Sequence, residues 1–283
     1  MKIPIAIVSL ICIVLVAFTI GSRKHKTGWE KLSLKGRVKS VNAKQYSDTG
    51  GADKTYLISD FSYVFDSVGN EIEENNHYVK EDSYRTIYTY NRKEQCSKTI
   101  MYIYIGLMDT EKMTTLHIYD SNGDLVEDHY DSIVGPKTKY TYDSVGNLKA
   151  YYRNNPDDTV FRKGGGFKYD DKGNVIEYDY YYPSGLLQGK RLDMYSNEGK
   201  IVKSDMYWDN NSTTSSGGVK HKGSGLYDGY GNLVVWTDYK PDGSIKEKTV
   251  NKTTYDKHGN MTKQVVFKND KPSEHTEFEI VYY

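Results

Sequence analysis

Cysteine is nearly missing from this chain. Of the two in 283 residues, Cys12 falls in an apolar leader and Cys96 stands alone in the body, so no intrachain disulfide can brace it. An excess of charge is missing as well. Lysine plus arginine and aspartate plus glutamate each number 38, and setting aside Lys2, Arg23, Lys24 and Lys26 leaves the body at only about −4. No basic stripe runs along it, which excludes the phosphate attraction that dominates nucleic-acid binding. Leu, Ile, Val and Phe are sparse, so a thick aliphatic core is not expected. The packing must come from elsewhere.

Reactive constellations are also missing. His25, His77, His117, His129, His221, His258 and His275 are scattered, with no H-E-x-x-H and no second-ligand spacing, and they read as isolated surface residues. Lys222-Gly223-Ser224-Gly225 lacks the pattern of a nucleophile elbow and reads as a loop. Asp120, Asn122 and Asp124, with Asp131 at the twelfth position, imitate the front of a calcium loop, but Leu125 stands where the sharp turn needs glycine. Asn211 and Asn251 begin glycosylation sequons to which no weight is given. No catalytic, metal or cofactor site is expected, and the chain does not read as an enzyme.

What the chain has is tyrosine, 28 of them. A tyrosine buries a large ring while keeping a hydroxyl for water or a partner, which suits a thin structure covered without being fully dry. It also has one long apolar stretch, Pro4 to Gly21, followed by Ser22-Arg23-Lys24-His25-Lys26. Its 18 residues make a helix of roughly 27 Å, enough to span a bilayer. A signal anchor and a cleaved signal peptide both fit, whereas a buried helix would need a polar face. Ile11 before Cys12 speaks against a lipobox. The cations after the stretch favour a cytoplasmic body, yet Lys2 ahead of an apolar run is how a signal begins, and export is the expectation. Residues 1–26 are thus read as signal anchor or signal peptide, an N-terminal hydrophobic helix, and residues 27–283 as one domain.

The body repeats itself. FDSVGNEI at Phe65, YDSNGDLV at Tyr119, YDSVGNLK at Tyr142, YDDKGNVI at Tyr169, YSNEGKIV at Tyr195, YDGYGNLV at Tyr227 and YDKHGNMT at Tyr255 share one pattern. A degenerate copy at Tyr90, YNRKEQCS, has Glu94 in place of the glycine, and the eight recur at intervals of 23 to 32 residues. Glycine takes positive φ without steric cost, Asp and Asn bond their own backbone, and an apolar residue restarts the strand, so each copy is a hairpin turn. A variable second turn lies midway between copies, such as Pro183 to Gly189 or Lys240 to Gly243. Alternation is clear on strands entering each copy (Phe61, Tyr63 and Phe65; Tyr140 and Tyr142) and blurred on those leaving it. Asp209 to Gly225 reads as a long polar loop open to recognition.

The [YF]-D-x-x-G-[ND]-[LIV] unit resembles the YD repeat of the RHS family, and Leu34 to Val41 (LKGRVKSV) is similar to the opening of short YD-repeat proteins from Bacteroidetes. The resemblance spans Leu32 to Tyr283, although the longer second-half signature of typical RHS repeats is absent. It implies an all-β fold: an antiparallel strip of hairpins, which in large RHS proteins coils into a shell around a toxin. With EFEIVYY at the end still alternating, no toxin module is expected to follow. The expectation is an elongated, open, twisted sheet of about sixteen strands, on the order of 77 Å long. A propeller is the runner-up. Two free edges would invite edge-to-edge self-association.

For function, the aromatic stretches stand out: Tyr151, Tyr152, Tyr178, Tyr180, Tyr181, Tyr182, Trp208 and Trp236. Flat rings on a sheet stack on sugars or anchor a protein, though the same rings also serve as cross-strand pairs. The reading is a non-catalytic cell-envelope protein that binds glycan or an envelope or surface protein, attached to the membrane through its N-terminal segment. The alternative is an RHS- or toxin-related structural or immunity module without its own activity.

Overall fold

The computed structural model describes residues 26–48, 55–79, 82–105, 109–130, 136–154, 159–209 and 220–283. The apolar stretch from Pro4 to Gly21, Asn211 and Asp131 lie outside the described residues, and among those described no helix is long and apolar enough to cross a membrane.

A one-turn helix, α1 (Gly28–Lys31), is followed by eighteen strands: β1 (Val38–Ser47), β2 (Tyr56–Phe65), β3 (Glu71–Tyr78), β4 (Ser83–Tyr90), β5 (Cys96–Ile105), β6 (Asp109–Tyr119), β7 (Leu125–Tyr130), β8 (Lys137–Tyr142) and β9 (Leu148–Arg153) form the first half. The second half is β10 (Arg162–Tyr169), β11 (Val175–Tyr181), β12 (Leu187–Tyr195), β13 (Ile201–Trp208), β14 (Lys220–Tyr227), β15 (Leu233–Tyr239), β16 (Ile245–Tyr255), β17 (Met261–Lys268) and β18 (Lys271–Tyr282). Every strand pairs antiparallel with the next, and β18 returns to pair with β1 from Val38↔Tyr282 to Ser47↔Glu274.

The sheet is therefore a closed barrel. This corrects the open ribbon and its sixteen strands: right-handed twist accumulates strand by strand until the ends meet, and closure satisfies two rows of backbone groups that a ribbon would leave unpaired. The free edges from which self-association was expected do not exist among the described strands. Lys220 to Gly225, read as the tail of a loop, is the first part of β14, paired with β13 and, from Gly223 on, with β15 as well.

All eight motif copies turn at the same rim, and their geometry repeats. In the copy at Tyr169, Asp170 N donates to Asn174 O (2.9 Å) and Gly173 N to Asp170 O (3.0 Å). The Asp170 Oδ1 accepts from Lys172 N and Asn174 N, and Asn174 Nδ2 reaches Oδ2 at 2.9 Å. These bonds hold the Asp170 carboxyl below its ordinary pKa. Gly173 sits at φ +83°, where an L-residue is strained. In the eroded copy Glu94 takes φ +61° itself, and Asn91 and Gln95 supply the side-chain bonds. Asp120, the first residue of the calcium-like stretch, spends its Oδ1 in the same way on Asn122 N and Asp124 N.

Each copy also carries the same β-bulge. Lys168 pairs with Glu177 but Tyr169 pairs with Val175, so Ile176 is extra. The same skip follows the motif aromatic in all eight copies. One extra residue flips the phase of alternation, which is why the outgoing strands looked blurred in the sequence.

The motif tyrosines stitch neighbouring copies together. The hydroxyls of Tyr90, Tyr119, Tyr142, Tyr169 and Tyr195 donate to the backbone oxygens of Glu71, Cys96, Leu125, Leu148 and Val175 at 2.6 to 2.9 Å. Each acceptor is the first residue of the strand leaving the preceding turn. Phe65 has no hydroxyl, and there Tyr283 crosses the seam and donates to the Phe65 oxygen at 2.6 Å.

The apolar core is small and lies at that seam. Val38, Val41 and Phe65 are buried against Trp29, Leu32, Leu34, Tyr63, Phe278, Ile280 and Tyr282. The segment after α1 is pinned there by Asn260, which accepts from Lys35 N and donates to Lys35 O, both at 2.7 Å.

Candidate functional site

Which face is concave follows from burial. Residues paired across the sheet share a face, and the set containing Ser59, Asn76, Thr86, Asp128, Thr138, Arg191 and Ser204 holds most of the buried polar side chains of the strands. The opposite set carries Arg85 paired with Glu73, Lys168 and Lys190 both with Glu177, Lys203 with Asp205, and Lys263 with Glu277. The Lys168 side chain is 66% exposed and that of Glu277 54%. A barrel wall in lipid presents an apolar band about 25 Å tall. This outer wall presents ion pairs, alongside exposed apolar side chains such as Leu116, Met194 and Leu226.

On the inner face, one cross-strand row alternates ring and glycine over five strands: Tyr151↔Gly165↔Tyr180↔Gly189↔Trp208. Glycine inside a strand marks close approach of another group, and here the group is a ring lying flat across the neighbouring backbone. A Cβ on Gly165 would stand 2.3 Å from Tyr151 Cε1, and one on Gly189 2.3 Å from Trp208 Cε3. Trp236 covers Gly223 in the same way. Phe167 stacks on Tyr178 at 4.5 Å and 8°, Tyr178 meets Tyr180 at 4.1 Å, and Tyr180 meets Trp208 at 5.4 Å. The Tyr151 and Tyr178 hydroxyls are 3.3 Å apart. Burial pushes the Tyr180 hydroxyl up to about 12, yet each ring of the row keeps part of its surface open.

The eight residues singled out in the sequence thus divide. Tyr151, Tyr178, Tyr180, Trp208 and Trp236 share the inner face. Tyr181 belongs to the outer wall, where Lys163 Nζ lies 4.4 Å from its ring centroid and 3.1 Å from its hydroxyl. Tyr152 pairs with Lys139 and Lys163 on that wall, and Tyr182 sits in a turn with its hydroxyl on Asp209 O at 3.3 Å. The glycines beneath the rings went unread in the sequence. Their signal was glycine recurring inside an aromatic-rich repeat.

Two polar groups on the inner face were also missed. Arg191, 5% exposed, donates from Nε to Asp193 Oδ1 at 2.7 Å, while Ser204 bonds the same carboxylate and lies 3.3 Å from Arg191 Nη2. His117 was read as an isolated surface residue. It is half-buried, with Nδ1 2.6 Å from Asp128 Oδ1 and Nε2 2.8 Å from Thr99 Oγ1, and Tyr140 donates to Asp128 Oδ2 at 2.6 Å. His275 likewise pairs with Asp48 at 2.8 Å. Packing brought acids beside these imidazoles that lie far away in sequence.

The connectivity Thr99–His117–Asp128 copies that of a catalytic triad, but its charge state differs. Burial alone would lower the His117 pKa; the hydrogen bond and charge of Asp128, with the Cys96 side chain, outweigh it and raise the pKa to about 9. An imidazolium cannot take a proton from Thr99, so at neutral pH the group is an internal ion pair.

The class defined by these features is a closed antiparallel barrel of turn-linked repeats with an aromatic–glycine inner face. No family model matches the chain, and no curated protein matches it. Among solved structures it is similar to a porin-like protein from Bacteroides uniformis, at 10% identity and a TM-score of 0.45 over 87% of this chain and 99% of the other. A porin-like protein from Bacteroides vulgatus covers 87% and 98%, at 10% identity and a TM-score of 0.22. The Photorhabdus luminescens Tc holotoxin pore matches 78% of this chain at 12% identity and a TM-score of 0.31, and the match spans only 14% of the toxin chain. At such scores the likenesses assign this protein no activity.

Proposed function

We propose that this is a non-catalytic protein of the cell envelope, a short relative of the YD-repeat proteins, whose barrel binds a saccharide on its inner aromatic row. The observation carrying the reading is the half-open row of Phe167, Tyr178, Tyr180 and Trp208, in which Gly165 and Gly189 leave room for the Tyr178 and Trp208 rings to lie down. Flat aromatic faces stack on the apolar faces of sugar rings, and a row fixed in advance loses little side-chain entropy on binding. The envelope assignment is supported by the apolar stretch at Pro4 to Gly21. The reading also fits the ion pairs on the outer wall, with attachment to the membrane left to the N-terminal segment.

The test is retention of the purified full chain on glycan arrays and peptidoglycan, compared with Tyr180→Ala and Trp208→Ala. Binding that weakens at least tenfold in both variants is expected. No retention of the parent chain on any saccharide, or binding indifferent to both substitutions, removes the basis of the proposal; capture of an envelope protein by the same two residues would move it to a protein partner.

A further inference from the structure

At the rim, α1 packs on Glu71. Gly28 has no room for a side chain: a Cβ there would stand 2.8 Å from Phe65 Cε1 and 2.9 Å from both the Cβ and the backbone N of Glu71. Trp29 N donates to Gly69 O at 3.2 Å, its indole donates to Val38 O at 2.7 Å, and its ring covers Gly69. The Oε1 of the same Glu71 is sealed from water and has no hydrogen-bond partner. A carboxylate so placed is costly, and a neutral carboxyl is not.

We propose that the segment from Thr27 to Arg37 is a proton-controlled latch: it closes over the rim when Glu71 is neutral and lifts when Glu71 ionises, because only lifting lets water reach the charge.

The surrounding charges support this. From α1, Lys31 attracts the carboxylate, and Glu30 is engaged in the capping box with Thr27. From β3, Glu74 repels it. From β4, the Tyr88 hydroxyl is shared with Glu74 Oε2 at 3.0 Å, and Tyr90 spends its hydroxyl on the Glu71 backbone oxygen. Asp66, just after β2, adds a further negative charge and is tied to its own turn. Burial first, then Glu74, raises the Glu71 pKa from 4.5 to about 8, with Lys31 and the Tyr88 hydrogen bond opposing. A carboxyl raised in the closed form favours closure fully below 4.5 and loses that advantage as pH rises through about 8. Release would free eleven residues between the barrel and the apolar stretch that precedes them, adding up to about 36 Å of reach.

The experiment follows hydrogen exchange of the Trp29 indole and the Leu34 amide by NMR in the full chain in detergent, from pH 6 to 9.5, corrected for intrinsic exchange. The closed-to-open ratio should fall on the order of a hundredfold over that range. Glu71→Gln should stay protected throughout, and Gly28→Ala should be unprotected at every pH. A flat profile in the parent chain, the same fall in Glu71→Gln, or full protection in Gly28→Ala would each overturn the latch.

Discussion

Gly189→Ala is the sharpest probe of the inner face. The added methyl would meet Trp208 Cε3 at 2.3 Å, Cζ3 at 2.8 Å and Tyr207 O at 3.0 Å. The indole can lift, but the carbonyl is fixed in the pairing of β12 with β13, so the ring must leave its place against Tyr180. Overpacking of this kind costs about 1–3 kcal/mol, and the smaller unfolded-state entropy of alanine returns about 0.4–1 kcal/mol. The net loss is about 1–2 kcal/mol, a fall in Tm of roughly 2–6 °C for a domain of this size. Calorimetry gives the Tm, and near-UV circular dichroism reports the Tyr180–Trp208 contact. On a Trp208→Ala background the same substitution should cost much less, because only the Tyr207 carbonyl is left in its way. A variant with the parent's Tm and near-UV spectrum, or a penalty that survives removal of the indole undiminished, would refute the ring-over-glycine account.

Three further outcomes are expected. Glu94→Gly should stabilise the barrel by about 0.5–1 kcal/mol, since Glu94 holds the left-handed conformation that glycine supplies in the other copies; Gly173→Ala, with φ +83° and nothing within 4 Å, should lose about 1 kcal/mol from the backbone alone, and denaturant unfolding measures both. His117→Gln should destabilise in a pH-dependent way. The folded-state pKa of about 9 lies above 6.5, so the stability this group contributes is fully present below pH 6.5 and disappears as pH rises through 9. Unfolding free energies of parent and variant should differ by at most about 3 kcal/mol at pH 6 and converge above pH 9, and a difference independent of pH would contradict the buried ion pair.

The repeat determined more than its short length suggests. Glycine, Asp and Asn at fixed offsets from an aromatic set the turn, the turn sets a hairpin, and eight turns set an antiparallel meander, all through contacts within five residues. The strand entering each copy was legible for the same reason. The strand leaving it was not, because the bulge at residues such as Ile176 comes from how two strands register, and one residue of slip inverts the faces read from alternation. Nothing local at Gly189 says that Trp208 will lie on it, nor at His117 that Asp128 will neutralise it.

Closure is the largest decision left to the tertiary structure. Val38 and Tyr282 are brought together by the sum of twists over seventeen strand-to-strand steps, each too small and too similar to be read from any one motif. The sequence determined the unit and its direction of travel. Whether the accumulated curvature returned the last strand to the first, which face it enclosed, and which charges it buried there depended on residues far apart in the chain meeting in space.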